Sequence, residues 1–130
     1  MVILFDAYNM PESIYDIVFS TDQQAKVARL LITYMQKNGG EIGKTEMGFF
    51  AQKLHDGEII VKSAGKRMFD NEKSMSYNKR QFYDRILTPM KGLGLIDYDM
   101  YKKTYRVSQR FNQVMVKVGL LWLRETGKNK

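Results

Sequence analysis

The chain has 130 residues, 44% of them hydrophobic, which suits one domain with a real core. It has no cysteine and one histidine, His55, which excludes disulfides, thiolate metal centres and a zinc site built on histidines. The net charge of +7 is uneven: residues 1–61 hold five Lys/Arg against eight Asp/Glu, a balance of −3, and residues 62–130 hold sixteen against six, a balance of +10. A basic half of this kind raises local affinity for polyanions such as nucleic acid. No apolar run approaches the roughly 18–20 residues that cross a bilayer. The opening MVILFDAY lacks a basic leader, so no signal peptide, no membrane insertion and a cytoplasmic location are expected.

In chain order, residues 1–20 read as an N-terminal arm. Val2 to Phe5 suits a strand, Pro11 is a breaker, and Ser13 to Phe19 suits either a short helix or an arm laid on the core. Ser20 or Thr21 caps a helix whose buried stripe is Val27, Leu30, Leu31, Tyr34 and Met35, stopped by Asn38-Gly39-Gly40. After a short extended link, Thr45 starts a second helix through Met47, Phe49, Phe50 and Leu54. Residues 55–74 read as a mobile loop holding one short strand at Glu58 to Val61, with Lys62, Lys66 and Arg67 as either a further phosphate-contacting arm or a solvated loop.

The next segment, residues 77–108, is the most informative. Phe82, Tyr83, Ile86, Leu87 and Met90 recur at helical spacing, Ser76 caps the helix, Pro89 lies near its end, and Gly92 and Gly94 stop it. LIDY and TYRVS follow as strands around a lysine-tipped turn. A helix with a free polar face beside a basic strand pair suits a duplex, the helix in the major groove and the strand pair on the backbone. Ser108 then caps a final helix from Gln109 to about Glu125. One face, Phe111, Val114, Met115, Val118, Leu121 and Trp122, is expected on the domain core. A second stripe, Val116, Leu120 and Leu123, needs a different cover, either the N-terminal arm or a partner subunit in a homodimer.

The run Leu87, then Met90-Lys91-Gly92-Leu93-Gly94-Leu95-Ile96, then the strands through Val107, resembles the "recognition helix, L-x-x-L-G-L-I, wing" pattern of winged helix-turn-helix domains in archaeal and bacterial transcription regulators. The likeness covers about residues 21–125. It implies a mostly helical α+β fold: an arm (1–20), a winged helix-turn-helix domain (21–108), and a C-terminal helix with a basic tail (109–130). It also implies a recognition helix over 77–91 and a wing over 97–107. The departure is the link of about twenty residues, 55–74, where such domains have a short turn.

On a helical wheel, Gln81, Thr88, Tyr77 and Arg85 point away from the core, flanked by Asn78 and Arg80. Arginine pairs with guanine, and asparagine or glutamine with adenine, through two hydrogen bonds each, so Asn78, Gln81 and Arg85 are the base-reading candidates. Tyr77, Lys79 and Arg80 on the helix, with Lys102, Lys103 and Arg106 on the wing, are backbone-contact candidates. Tyr101 and Tyr105, interleaved with the wing cations, either stack on nucleotides or pack on the sheet. No phosphate loop, dinucleotide fingerprint, nucleophile elbow or paired acids occur, so neither an enzyme nor a cofactor is expected. The competing expectation is a winged-helix module that docks proteins in a replication, transcription or membrane-remodelling assembly.

Overall fold

Ser13 and Thr21 each supply a side-chain oxygen that opens a helix. In the computed structural model, which describes residues 5–57 and 77–127 and the backbone of 59–62 and 72–75, Ser13 Oγ accepts the Tyr15 N–H at 3.2 Å and starts α1 (Ile14–Val18). Thr21 Oγ1 accepts the Gln24 N–H at 3.1 Å and starts α2 (Asp22–Lys37). α2 buries Ala25, Val27, Ala28, Leu31 and Met35. α1 lies across it, with Arg29 of α2 donating to Ser13 Oγ at 3.0 Å and sitting 4.7 Å over the Tyr15 ring.

The chain turns through Gly40, whose N–H returns to the Met35 carbonyl at 2.8 Å, into β1 (Glu41–Gly43) and α3 (Lys44–His55). Glu46 caps α3 by accepting the Gly43 N–H at 2.9 Å. Met47, Phe50, Ala51 and Leu54 face inward, while Phe49 is exposed.

Residues 55–74 differ from the loop expected of them. Ile59–Lys62 (β2) and Glu72–Met75 (β3) pair antiparallel, with Ile59 opposite Met75 and Lys62 opposite Glu72. Val and Ile in β2 favour this state, whereas EKSM carries no comparable local signal and takes strand form from its pairing. Residues 58, 63–71 and 76 lie outside the described residues, and Ser76, Lys66 and Arg67 with them. Beyond the strand pair the chain comes back to where α3 ended: the Tyr77 N–H bonds the Leu54 carbonyl at 3.0 Å, and the Lys79 N–H bonds His55 Nδ1 at 3.4 Å. The long link is thus an excursion whose ends meet, and α3 adjoins the next helix as a short turn would require.

That helix, α4, runs through three pieces: α-helical Lys79–Phe82, π-helical Tyr83–Leu87 and α-helical Thr88–Gly92. Pro89 explains the middle piece. It has no N–H and its ring crowds the carbonyl four residues back, and the wider turn, in which the Thr88 N–H reaches the Tyr83 carbonyl, relieves that crowding. Phe82, Ile86, Leu87 and Met90 are buried. Two four-residue steps would drift about 80° on an ideal α-helix of 3.6 residues per turn, and the π turn keeps Phe82, Ile86 and Met90 in line.

Gly94 ends α4 in the left-handed region at φ 85°. A Cβ there would stand 2.8 Å from the Phe111 nitrogen, so glycine is required by both conformation and space. β4 (Ile96–Asp99) and β5 (Thr104–Val107) follow, and the sheet order is β1-β5-β4, all antiparallel. Ile42, Ile96 and Tyr105 turn one sheet face onto the helices and complete a core with Phe19, Leu31, Met35, Met47, Leu54 and Phe82.

The last helix, α5 (Arg110–Thr126), departs most from expectation. Ser108 Oγ accepts the Arg110 N–H at 3.0 Å, as a cap should. The stripe expected on the core touches it only at its root, where Phe111 and Val114 are half-buried. Met115, Val118, Leu121 and Trp122 are 41–68% exposed, and Val116, Leu120 and Leu123 of the other stripe are 56–62% exposed. Beyond Phe111 and Val114, α5 projects from the body with apolar side chains exposed on both sides.

Candidate functional site

α4 and the turn between β4 and β5 carry Lys79, Arg80, Arg85, Lys91, Lys102 and Lys103, while Arg106 lies on β5 and Arg110, Lys117 and Arg124 lie on α5. The outward residues of α4 are Lys79, Arg80, Asp84, Arg85, Thr88 and Lys91, all exposed. Arg80 and Asp84 stand one helical turn apart at 4.0 Å, fully in solvent. Arg85 is free of close carboxylates among the described residues and lies near enough to Tyr77 to act on its hydroxyl: burial raises that hydroxyl's pKa, and the guanidinium partly offsets the rise.

Tyr77 itself corrects the wheel. It is buried at 6% exposure and precedes the helix, so it cannot serve as an outward backbone contact. The wheel failed because it began the helix at 77, whereas Asn78 is the N-cap and α4 starts at Lys79. Asn78 Oδ1 accepts both the Arg80 N–H at 2.8 Å and the Gln81 N–H at 3.2 Å. With both lone pairs engaged, the amide retains only donors, and the two-bond adenine pair proposed for it is closed while the cap holds. Gln81 is half-buried. Of the three base-reading candidates, Arg85 alone is fully presented.

The β4–β5 turn is preorganised. Asp99 Oδ1 accepts the Tyr101 N–H at 2.9 Å and the Lys102 N–H at 3.1 Å, and these bonds hold its carboxyl below its ordinary pKa. Lys103 takes φ 55° to close the turn, and its carbonyl receives the Lys44 N–H at 2.9 Å, which fastens the turn to the start of α3. Met100, Tyr101, Lys102 and Lys103 are exposed at the tip.

Arg106 sits differently. It lies opposite Glu41 on one neighbouring strand and Asp97 on the other, and Asp99 follows Asp97 by two residues on the same sheet face. The Arg106 guanidinium acts on the Asp99 carboxyl, and acids on this sheet face weaken its attraction for a phosphate; Arg110, 3.7 Å from Asp97, shares the same face. The strand sequences showed the charges but not which strand would neighbour β5. The backbone of Lys62 falls in β2.

Two exposed groups escaped the sequence reading. Lys91 holds its ammonium 6.0 Å from the Tyr98 ring centre and 5.9 Å from that of Tyr105, rings that form a tilted pair with centres 4.6 Å apart. Its spacing of seven from Asp84 and three from Thr88 was the available signal. Lys44 becomes part of the cationic surface only because its backbone joins Lys103, a contact no local pattern announces. Tyr101 and Tyr105 separate cleanly: Tyr101 is 98% exposed, and Tyr105 is in the core.

Among the described residues no group of three or more His, Asp or Glu converges to hold a metal ion, and no helix is long and apolar enough to cross a membrane. Comparison with protein-family models, with curated proteins and with solved structures finds no match to this chain.

Proposed function

We propose that the protein binds duplex DNA as a winged helix-turn-helix regulator of transcription in the cytoplasm, with α4 as recognition helix and the β4–β5 turn as wing. The carrying observation is the exposed set Lys79, Arg80, Arg85 and Lys91 on α4 beside Lys102 and Lys103 on the wing tip, with Asp84 the single acid on the described α4 face. The element order α2, β1, α3, α4, β4, β5, interrupted by the β2–β3 pair, supports the reading, because helix, short strand, helix, helix and hairpin is the order on which the resemblance rests. In this account Arg85 reads a base edge, Thr88 and Lys91 flank it, and Lys102 and Lys103 neutralise phosphates. Arg106 contributes to the wing's internal electrostatics rather than to phosphate binding.

The acids Glu41, Asp97 and Asp99 favour a second reading, in which the sheet face docks another protein. Anisotropy of a labelled random duplex, titrated across a salt series, separates the two. DNA binding predicts that log affinity falls linearly with log salt, at about −0.9 per phosphate neutralised. No binding at about 50 mM salt and micromolar protein, where even non-specific contacts of this kind persist, overturns the DNA reading and leaves the docking one.

A further inference from the structure

α5 carries a seam that reaches the body of the domain. Phe111, Val114, Val118 and Leu121 recur at spacings of three, four and three, the a/d pattern of paired helices, with Met115 and Trp122 alongside. Val118 is 51% exposed, Leu121 45% and Trp122 68%. At its root the seam runs into an apolar cleft of about 340 Å³ between α1, α2 and the start of α5, walled by Ile14, Val18, Phe19, Leu95 and Phe111. Helix and cleft therefore form one continuous apolar surface. The other stripe, Val116, Leu120 and Leu123, lies on the opposite side of the helix from Phe111 and has no such continuation.

We propose that this surface is covered by a second copy of the chain, the two α5 helices pairing antiparallel about a two-fold axis, with Trp122 of each copy at the mouth of the other's cleft. A two-fold pair is self-complementary, so each residue must meet a partner for which the reverse contact also holds. The seam allows this: Phe111 meets Leu121, Val114 meets Val118, and the same register sets Trp122 beside Phe111. The area suffices. The exposed parts of these side chains and the cleft walls amount to roughly 500 Å² per copy, or roughly 1,000 Å² for the pair before flanking polar residues, which reaches the threshold of about 1,000 Å² for a specific interface. A single copy, by contrast, would leave a tryptophan and several aliphatic side chains in water along one helix. The seat differs from the stripe the sequence suggested, because Phe111 roots the seam in the cleft and Leu120 points away from it.

The experiment needs no DNA. Light scattering at tens of micromolar protein should give twice the 15.2 kDa chain mass. Leu121→Glu should return it to the single-chain mass with unchanged circular dichroism, since the side chain lies outside the core, while Leu120→Glu should remain dimeric. Trp122 is the sole tryptophan, so its emission should shift to shorter wavelength as concentration rises, and should not shift in Leu121→Glu. A single-chain mass for the unmodified protein overturns the proposal. So does dissociation by Leu120→Glu, or a dimer that Leu121→Glu leaves intact.

Discussion

Asn78 stands where two roles compete for the same oxygen. As N-cap it closes the first turn of α4 with two backbone hydrogen bonds. As an adenine reader it would need that oxygen free. The cap is the role its geometry serves, so Asn78→Ala should cost about 1 kcal/mol of stability, and Asn78→Ser, which keeps an acceptor, only a few tenths. Denaturant unfolding checks both. DNA sequence preference should be unchanged in Asn78→Ser, and a relaxed preference there would return the residue to the base-reading set. Arg85→Ala should be nearly silent in stability and cost roughly 1–3 kcal/mol on a preferred duplex, with relaxed specificity. Gly94 is the opposite kind of position. Its left-handed backbone and the close approach of Phe111 mean that Gly94→Ala should lower stability by more than the ~1–2 kcal/mol that a left-handed residue costs alone, measured by the same unfolding curve. Lys103 also holds a left-handed turn, so Lys103→Gly relieves strain while removing the charge and is a cleaner test of the wing than Lys103→Ala.

At the scale of elements, the wing and α4 should behave differently on DNA. The double change Lys102→Ala with Lys103→Gly should weaken all duplexes about equally and flatten the salt dependence by up to about two phosphates' worth. The α4–sheet junction should respond to alkali. Burial raises the hydroxyl pKa of Tyr77, Tyr83 and Tyr105, with neighbouring tyrosines adding to the rise at Tyr105. Groups whose folded pKa is raised contribute stability that is complete below their unfolded value near 10 and is lost as pH climbs through the folded values. Unfolding curves from pH 8 to 11 should show that loss, and Tyr105→Phe should diminish it. The elements themselves were mostly legible, because α2, α3 and the wing strands follow from periodicity, caps and glycine stops. What escaped depended on distant partners. EKSM is a strand because β2 pairs with it, Tyr77 is buried because the chain returns to Leu54, and Arg106 has Glu41 opposite it because β1 lies beside β5. The apolar periodicity of α5 was visible in the sequence, but a helical stripe does not say what will cover it, and here only Phe111 and Val114 at its root are half-buried.

For the molecule as a whole, the charge imbalance of residues 62–130 becomes a surface only once the chain is folded. α4 and the β4–β5 turn bring six of the described cations of that half together, and Lys44 joins them from the acidic half through its bond to Lys103. α5 presents apolar side chains together with Arg110, Lys117 and Arg124, and the apolar residues of the proposed pairing differ from the cations of the proposed DNA contact, so the two should be separable by mutation. If the proposed function holds, the outward face of α4 enters a duplex. Amide chemical shifts of isotope-labelled protein, titrated with duplex DNA at physiological salt, should then move most on Arg80, Asp84, Arg85, Thr88 and Lys91 and on Met100 to Lys103, with the sheet face around Glu41 and Asp97 little changed. Shifts concentrated on that acidic sheet face or along α5, with α4 silent, would contradict it.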